Sequence, residues 1–369
     1  MAAMLRGRRD VLKAAASLGA AATLARPAIA QARRKITIVV GTPTIDSATD
    51  DFFAGIPIGA GFYAEEGLDV DVQTSAGSTA AVSLLMSGQA QFCTHGTPGL
   101  FYAVDHALPI KGVICPIPDY FVSVAVDEAG PIKSIADLRG KTIGVNAQGG
   151  APYYVIRAVI RKLGMNPDTD VNFLAVGTTL PALDALRRNR VKALVEWDTI
   201  FALFEFNGAK LRYFRPDPLP SLGFTHTTNT QDSTIEREPA MVAGVCRAIA
   251  KSIVMLAAAE PAELTRLHYK VFPASKPTGL SEDDILRLDG QRQAARRQFM
   301  RYQQQVFDRT EKIGDATDAQ IEGQRDLLFS GGEIKNQYPP DRYFTRRFID
   351  QANAFDVPAM ITRAKAFRA

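Results

Sequence analysis

The sequence predicts an α/β protein of two lobes with a cleft between them. Strand and helix patterns alternate at short spacing twice along the chain, over residues 35–118 and again over residues 132–198. This alternation is typical of βαβ units with parallel strands. The 369 residues are enough for two ordinary domains. After residue 238 the pattern is helical almost to the end, and we expect these helices to pack on the outside of the first lobe.

The first α/β unit contains four predicted strands. These strands lie at residues 35–40, 70–73, 90–94 and 110–114, with helices expected at 51–64, at 78–87 and up to 107. Gly67 is a good helix stop because glycine tolerates a positive φ angle. Ser78 is expected to be the N-cap of the second helix, since a serine hydroxyl can accept a hydrogen bond from a free backbone N–H.

The second α/β unit is reached through a strand pattern at residues 120–127. A strand that ends at Val145, the turn Gly149–Gly150 and a long helical pattern follow, and further strands are predicted at 171–176 and 193–198. A return strand is predicted at 224–227. We therefore expect the first lobe to comprise residues 34–119 and 226–369, and the second lobe to comprise residues 120–225.

The last third of the chain is predicted to be helical and polar on its surface. Helices are expected at residues 238–259, 262–271, 281–307, 318–329 and 342–355. Arg292, Arg296, Arg297 and Arg301 lie on one of them, and an exposed face is the interpretation that we favour, with a docking surface as the alternative. No segment after the leader is expected to span a membrane.

Residues 1–30 have the features of an export signal. Arg8-Arg9 precede an Ala-rich apolar run that is too short to cross a bilayer, and Ala28-Ile29-Ala30 fits a signal-peptidase site. The paired arginines are typical of twin-arginine export, and the general secretion machinery is the alternative route to the same compartment. We expect a periplasmic protein that begins near Gln31, without a lipid anchor because no Cys lies at the cleavage point.

The charge of the mature chain excludes two classes of partner. The formal net charge is +4, and the same surplus lies within residues 1–30, so the remainder is neutral. A neutral protein has no electrostatic attraction for nucleic acid or for an anionic membrane surface. The composition, with 46% hydrophobic and 22% charged residues, is that of a soluble globular protein.

Three cysteines leave one question of oxidation state open. Cys93 and Cys115 lie in predicted strands, and Cys246 lies in a predicted helix. An oxidising compartment permits a Cys93–Cys115 disulfide, while three buried thiols are the interpretation that we favour because free cysteine is commonly a core residue.

Three segments carry a family resemblance. Residues 61–70 read Gly-Phe-Tyr-Ala-Glu-Glu-Gly-Leu-Asp-Val and look like the signature Phe-x-x-Glu-Gly-Leu-Asp-Val. Residues 84–92 contain Leu-x-x-Gly-x-Ala, with Gln91 in place of the usual Asp, and residues 135–145 contain Asp-Leu-Arg-Gly-Lys-x-Ile-Gly-Val. Together they resemble the periplasmic substrate-binding proteins of ABC importers, in the branch that binds nitrate, sulfonates, taurine or the thiamine pyrimidine precursor (NMT1/THI5-like). The resemblance covers about residues 35–230.

The resemblance implies a fold and a role. It implies the type II periplasmic-binding-protein fold, with the ligand in the interlobe cleft and closure by hinge motion. It also implies capture of a small solute by a monomer, and delivery to an ABC permease and its ATPase. The iron-dependent pyrimidine synthases of the same group use a Cys-rich stretch, and its absence here argues against that activity.

Candidate ligand contacts follow from the rule that ligands of α/β sheets bind at the carboxyl ends of strands. Two helix N-termini with small residues would direct N–H groups at the ligand, which suits a carboxylate or sulfonate. The predicted ligand-binding residues are Thr42, Thr44, Gly77, Ser78, Thr94, His95, Gln148, Gly149, Gly150, Tyr153, Glu196 and Trp197.

Several of these residues have a structural alternative. The glycines also suit simple turns, and Trp197 suits either a stacking surface or the core. Glu196 and Asp198 are able to pair with an amine or a ring N–H of the ligand, whereas Asp198 more readily caps the following helix. If Glu196 faces the cleft, a purely anionic ligand is disfavoured.

The functional hypothesis is a solute-binding protein for a sulfonate, a carboxylate or a nitrogenous ring compound, and not an enzyme. The four histidines lack the spacing of a metal site, and no cofactor motif or nucleophile motif is present. The rival hypothesis is a periplasmic enzyme or sensor domain on the same fold. Glu196 and His95 are the titratable pair that such an enzyme would use.

Overall fold

Two mixed five-stranded sheets organise the protein, whose computed structural model describes residues 33–369. The predicted export signal lies outside the described residues. The strands are β1 Arg34–Val40, β2 Leu68–Gln73, β3 Phe92–Gly96, β4 Ile110–Asp119, β5 Val122–Asp127, β6 Thr142–Val145, β7 Asn172–Ala175, β8 Ala193–Trp197, β9 Leu211–Phe214 and β10 Gly223–Gln231.

The first sheet has the strand order β2-β1-β3-β10-β4. β1 is parallel to β2 and β3, and β10 is antiparallel to β3 and β4. The return strand that the sequence predicts at residues 224–227 is therefore confirmed, although it is longer than predicted. We call this sheet and its helices the first lobe.

The second sheet has the order β7-β6-β8-β5-β9, and we call it and its helices the second lobe. β6 is parallel to β7 and β8, as the βαβαβ pattern predicts, while β5 is antiparallel to β8 and β9. The sequence prediction missed β9, a four-residue edge strand that is only partly buried. Such a short strand leaves too few positions for a period-2 pattern to stand out.

The chain crosses between the sheets at residues 120–121 and 215–222. The expected lobe boundary at residue 225 is three residues late, because β10 of the first sheet already begins at Gly223. Both crossings lie at the base of the cleft, so residues there border both lobes.

Fifteen α-helices of the described residues surround the sheets. They are α1 Gly55–Gly59, α2 Phe62–Glu65, α3 Ser78–Met86, α4 Thr97–Asp105, α5 Ala151–Lys162, α6 Leu180–Arg187, α7 Asp198–Phe206, α8 Asp232–Arg237, α9 Pro239–Ala258, α10 Pro261–Val271, α11 Glu282–Arg297, α12 Asp318–Ser330, α13 Pro340–Tyr343, α14 Ile349–Ala352 and α15 Val357–Ala366.

Three predicted helices are shorter or more broken than their patterns indicate. The pattern at 51–64 yields only α1 and α2, separated by Gly61 with φ of +79°. The pattern at 281–307 ends as an α-helix at Arg297, and a π-helical turn follows at Gln303–Phe307. The pattern at 342–355 gives short turns and α14, while the prediction missed α15.

The C-terminal helices pack on the first lobe and also contact the second lobe. On α9, Arg247 forms an ion pair with Glu66 of the first lobe. On α11, the Arg292 Nε donates to the backbone oxygen of Thr199 in the second lobe, at 3.0 Å. The loop after α12 receives a hydrogen bond from Arg161 of α5. The expectation that these helices lie on the first lobe is therefore incomplete, because α11 and α12 span both lobes.

Helix α9 corrects the expectation that no later segment is apolar enough to span a membrane. Among the described residues it alone has the length and hydropathy of a membrane span, with a mean hydropathy of 1.7 over its most apolar window. Thirteen of its residues are buried inside the first lobe, including Ile249 and Ile253. Burial on nearly all sides is the property of a core helix in a protein of this size.

The three cysteines are free and buried. Cys93 lies on β3 and Cys115 on β4, and β10 separates these two strands in the sheet. Strands that are two positions apart lie about 9.5 Å from one another, which is too far for a disulfide. The thiol interpretation is therefore confirmed, and the alternative disulfide is not formed.

Candidate functional site

A cavity of about 620 Å³ lies between the two lobes. Its wall combines strand ends and helix N-termini from both sheets with the first interlobe crossing. The first lobe contributes Val40, Gly41, Thr42, Thr49, Asp50, Ser78, Thr94, His95, Gly96, Pro98, Thr225, His226 and Arg296. The first crossing contributes Tyr120 and Phe121, and the second lobe contributes Val122, Asn146, Ala151, Pro152, Val155 and Trp197.

The end of β1 shows why this sequence leaves room for a cavity. Gly41 donates its N–H to the backbone oxygen of Thr94 on β3, at 2.9 Å. A Cβ atom at Gly41 would lie 2.7 Å from the Cβ of His95, so only glycine fits. Helix α3 then begins at Ser78 beside Gly41, and its first turn faces the cavity. The expected N-cap at Ser78 is one residue late, because Gly77 occupies the capping position.

The predicted ligand-binding residues fall into three groups. Five lie on the cavity wall: Thr42, Ser78, Thr94, His95 and Trp197. Three glycines, Gly77, Gly149 and Gly150, lie where the lobes touch: Thr79 N donates to the Gly149 oxygen at 3.4 Å, and a Cβ on Gly77 would meet Ala147 of the second lobe. The remaining four, Thr44, Gln148, Tyr153 and Glu196, do not line the cavity.

Each of these four residues has a different reason for its position. The side chains of Thr44 and Gln148 are exposed to solvent. Tyr153 packs edge-on against Phe173 at a centroid distance of 5.1 Å. Glu196 is fully buried on β8 and its carboxylate has no hydrogen-bond partner among the described residues. Since side chains alternate along a strand, Trp197 on the wall places its neighbour Glu196 on the other face.

Several residues of the wall were not predicted. Tyr120 and Phe121 come from the first crossing, and an aromatic pair at such a crossing is a signal that the sequence offered. Thr49 and Asp50 belong to a turn in which Asp46 accepts from the backbone of Thr49. Arg296 lies on α11 and contacts Asp198 of the second lobe, which is 98 residues away in the sequence. No local sequence pattern predicts such a contact.

The histidines of the wall are electrically neutral. Burial lowers the pKa of His95 to about 4. A hydrogen bond from its Nδ1 to the Gly96 oxygen raises the pKa, but by less than burial lowers it. Burial, with the neighbouring His95 and Arg296, lowers the pKa of His226 well below its ordinary value. The His226 ring stacks on Phe53 at 6.4 Å. Both imidazoles therefore act as flat aromatic surfaces at neutral pH.

Three side chains of the wall carry polar atoms without a partner among the described residues: the Nδ1 of His226, and one atom each of Tyr120 and Asn146. Tyr120 is 5% exposed and its hydroxyl has no hydrogen bond among the described residues. Asn146 is 6% exposed, and its Oδ1 likewise has none. Buried polar atoms are nearly always hydrogen-bonded in folded proteins. These atoms are therefore available to hydrogen-bond a ligand.

Arg296 is fixed by an ion pair between the lobes. Its Nε and Nη2 donate to the two carboxylate oxygens of Asp198 at 2.8 and 2.6 Å, and the guanidinium lies 4.5 Å from the ring centre of Phe121. Asp198 lies in the first turn of α7, as expected, and its carboxylate pairs with Arg296. The expected exposed arginine face on α11 is wrong for Arg292 and Arg296, which are both buried.

The lobes touch directly beside the cavity. The Trp197 indole N–H donates to the Thr49 hydroxyl at 3.4 Å, and the Thr49 and Thr199 hydroxyl oxygens are 2.8 Å apart. Thr49 belongs to the first lobe and the other two residues to the second. With the Thr79–Gly149 contact, these bonds close the cleft around the cavity.

A Ser-His-Asp arrangement lies outside the cavity. The His268 Nδ1 lies 2.6 Å from Asp51 Oδ1, and its Nε2 lies 3.1 Å from the Ser275 hydroxyl. Ser275 donates its proton to the Phe272 oxygen at 2.8 Å. Burial lowers the pKa of His268, but the Asp51 carboxylate outweighs it and the net pKa is raised. The Ser275 proton is thus directed at a backbone oxygen and not at His268, and the arrangement lies outside the cavity, so we assign it a structural role.

The described residues offer no metal centre. No group of three or more His, Cys, Asp or Glu side chains among them is arranged to hold a metal ion. His95 of the wall and Glu196 behind it do not meet on the cavity surface. The arrangement as a whole is suited to enclosing a small molecule between aromatic surfaces and a few hydrogen-bonding groups.

Two α/β lobes that close on a cavity at their strand ends define a two-lobed solute-binding fold. The chain belongs to the NMT1/THI5-like family, whose sequence profile it matches over residues 58–264. The resemblance that the sequence motifs carry is thereby confirmed.

Two solved structures share the fold over most of their length. A protein from Bordetella bronchiseptica RB50 has a TM-score of 0.67 at 18% identity, covering 86% of this chain and 96% of its own. The putative periplasmic sulfonate-binding protein SsuA from Methylobacillus flagellatus KT has a TM-score of 0.58 at 16% identity, covering 87% and 94%. At these identities the likeness shows the fold alone.

Two further proteins are similar to this chain, one in part of its sequence and one, an enzyme, in its fold. The riboflavin-binding protein RibY of Chloroflexus aurantiacus is 30% identical over 125 residues, so the match spans 33% of this chain and about a third of that protein. The desulfurization enzyme DSZB shares the fold with a TM-score of 0.50 at 14% identity, over 86% and 98% of the two chains. Structures of this fold are mostly solute-binding proteins, and one of those compared is an enzyme.

Proposed function

We propose that this protein is the periplasmic solute-binding component of an ABC importer, and that it captures a nitrogen-containing aromatic ring compound. The observation that carries the proposal is the unpartnered Oδ1 of Asn146 on a cavity wall that also contains Tyr120, Phe121 and Trp197. This acceptor requires a donor from the ligand, such as a ring N–H. The Tyr120 hydroxyl, which both donates and accepts, supplies a second anchor for such a ring.

The shape and lining of the cavity support a flat solute. Phe121, Trp197 and the neutral His226 present ring surfaces, on which an aromatic solute stacks favourably. The name of RibY supports the same class, because riboflavin contains a nitrogenous aromatic ring.

The first experiment identifies the solute. The protein from Gln31 onward is titrated in a thermal-shift assay with pyrimidines, purines, flavins, aromatic carboxylates, sulfonates, taurine and nitrate. We expect a nitrogenous ring compound to stabilise the protein by about 2.7 kcal/mol at 100 times its dissociation constant. Replacement of Asn146 by Leu is expected to abolish that shift. Stabilisation by nitrate or taurine alone would contradict the proposal.

Delivery and export require separate tests. Deletion of the gene is expected to abolish uptake of the radiolabelled solute. We expect the wild-type gene to restore uptake and the gene for the N146L variant not to restore it. Substitution of Lys for both Arg8 and Arg9 is expected to block export if the twin-arginine machinery is used, and to have little effect on the general secretion route. Uptake that survives the deletion would contradict the role in import.

The enzyme and sensor alternatives are separated from solute binding by the state of the bound compound. Mass spectrometry after prolonged incubation is expected to recover it unchanged, because no hydroxyl or thiol side chain of the described residues is hydrogen-bonded to His95 or His226 and so activated as a nucleophile. Recovery of a converted product would instead favour the enzyme, for which the fold of DSZB provides a precedent.

A further inference from the structure

The cavity wall holds one permanently charged cation. Arg296 is the only lysine or arginine among the described residues that line the cavity. Its side chain is almost entirely buried, so its charge is poorly screened by water. An arginine in this position would normally favour an anionic solute by forming parallel N–H···O bonds with it.

Asp198 already occupies the edge of the Arg296 guanidinium, formed by Nε and Nη2, at which an anionic solute would bind. Both of its oxygens accept hydrogen bonds from Nε and Nη2 of Arg296, and the carboxylate itself is 7% exposed. Asp198 is not itself on the cavity wall, but its oxygens lie 2.8 and 2.6 Å from the Arg296 nitrogens. The two charges therefore offset one another, and an anion bound beside the guanidinium would also lie close to the Asp198 carboxylate. Repulsion between like charges at short range is strong where water is excluded.

The other titratable groups of the wall do not restore a charge. Burial lowers the pKa of His95 to about 4, and that of His226 also lies well below its ordinary value. Burial, together with the neighbouring Asp46, raises the pKa of Asp50 well above its ordinary value. An anion that entered would therefore leave water without gaining an opposite charge, which is unfavourable.

The geometry points to Asp198 as a specificity-determining residue that, by pairing with Arg296, makes the cavity select uncharged solutes over organic anions. This inference rests on the proposed capture of a solute in the same cavity. It separates this protein from a binder of sulfonates, because the same arginine without Asp198 would bind them. Asp198 thereby controls the charge of the solute, while Asn146 and the aromatic wall control its shape and hydrogen bonding.

The experiment uses three ligands that share one naphthalene ring system and differ in charge. They are 2-naphthamide, which is neutral, and 2-naphthoate and 2-naphthalenesulfonate, which are anions at pH 7.5. Isothermal titration calorimetry compares the wild type with Asp198→Asn, which removes the negative charge and keeps an oxygen for Arg296. We expect Asp198→Asn to bind the sulfonate at least tenfold more tightly than the wild type does, with affinity for the amide changed by less than threefold.

Two further variants decide how a gain is interpreted. The double variant D198N/R296Q lacks both charges, and it is expected to lose the gain for the sulfonate. Asp184→Asn removes an exposed carboxylate of α6 in the same lobe, and it is expected to leave all three affinities at their wild-type values. If Asp198→Asn does not fold, Asp198→Ser, which also keeps an oxygen acceptor, is measured in its place.

Two results with the variants would overturn the inference, and so would one result with the wild type. One is an unchanged or weaker affinity of the folded Asp198 variant for the sulfonate, and the other is a gain that persists in D198N/R296Q. A wild type that prefers the sulfonate to the amide would also overturn it. These outcomes would leave the proposed capture of a solute intact. If no compound in the thermal-shift screen stabilised the protein, the proposed function would fail, and that result would not bear on the charge preference.

Discussion

Glu196 and Trp197 are adjacent on β8 and have opposite surroundings. Trp197 lies on the cavity wall, whereas Glu196 is fully buried with neither carboxylate oxygen hydrogen-bonded. The sequence identifies both as residues at a strand end, because strand ends follow from the hydrophobic pattern. Which of two successive residues faces the cleft depends on the register of the strand, and the pattern does not determine that.

The pH dependence of stability tests the burial of Glu196. Burial raises its pKa well above the ordinary value of 4.5, so the native protein retains a proton that the unfolded chain loses. The contribution of Glu196 to stability is complete below about pH 4.5 and is lost as the pH rises above it. We expect the free energy of unfolding of Glu196→Gln to exceed that of the wild type by an amount that grows between pH 5 and pH 8, by up to about 1.4 kcal/mol per pH unit.

Urea unfolding at four pH values measures this difference. Glu322→Gln, at an exposed position on α12, serves as the control and should follow the wild type at every pH. Ligand binding by Glu196→Gln should be unchanged, because Glu196 does not line the cavity. Parallel curves for Glu196→Gln and the wild type would show that Glu196 is ionised and solvated in the folded protein.

The ring of Trp197 provides a second test at the residue scale. We expect Trp197→Ala to weaken solute binding about tenfold or more, since aromatic stacking contributes about 0.5–1.5 kcal/mol beyond the buried area. Trp197→Phe keeps a ring but loses the hydrogen bond to Thr49, and it should retain most of the affinity. Titration calorimetry with the identified solute measures both. Equal affinity of Trp197→Ala and the wild type would assign the ring to the core alone.

At the scale of elements, helix α11 shows the limit of reading charge from sequence. Its arginines have polar neighbours, a pattern typical of an exposed face. Arg292 nevertheless pairs with Asp46, and Arg296 pairs with Asp198, so each acidic partner lies about 100 residues or more away in sequence. Contacts of that range depend on the packing of whole lobes, and helical periodicity does not encode them.

Arg292 is expected to be the main contributor of α11 to stability. It binds Asp46 at 2.7 Å and the Thr199 oxygen at 3.0 Å, and it lies near the buried Asp289. Arg292→Met would leave buried carboxylates unpaired, and we expect it to lower the free energy of unfolding by about 3–5 kcal/mol. Chemical unfolding followed by circular dichroism measures the change.

A matched substitution on the same helix provides the control. Arg287 is largely exposed, forms an ion pair with Asp284 three residues earlier and lies 5.1 Å from the ring centre of Phe206. Methionine can keep the contact with the ring, so Arg287→Met should change the free energy of unfolding by less than about 1 kcal/mol. Similar losses for the two variants would mean that the helical propensity of arginine, and not the buried pairs, decides the stability of α11.

At the scale of the whole molecule, the described arrangement of the lobes is closed. The Thr49 and Thr199 hydroxyl oxygens that join them are 2.8 Å apart, so cysteines at these positions would bring their sulfur atoms close together across the cleft. We expect oxidised T49C/T199C to exchange solute much more slowly than the reduced form, because exchange requires the lobes to separate. Stopped-flow displacement with and without dithiothreitol measures the rates.

The single variants T49C and T199C control for loss of the hydroxyls, and the three native thiols are buried. Wild-type exchange in the fully oxidised double variant would show that solute reaches the cavity without hinge opening. A slow rate that dithiothreitol restores would support the opening motion.

Most of the overall architecture follows from the sequence. The two α/β units, the parallel β6, β7 and β8 and the return strand β10 depend on local periodicity and on short connections, both of which a sequence displays. The site is only partly visible in the sequence. Strand ends such as Thr42 and Thr94 are found in this way, whereas Arg296 and the pairing of Thr49 with Trp197 arise from the docking of distant segments.

The position of Trp197 has a practical consequence. It is the only tryptophan in the chain, its ring borders the cavity, and its indole N–H reaches across to the other lobe. Its fluorescence therefore comes from a single reporter that responds both to contact with a solute and to separation of the lobes. The unlabelled protein is accordingly an optical sensor for its own solute, and replacement of other wall residues would retune that sensor without adding a dye.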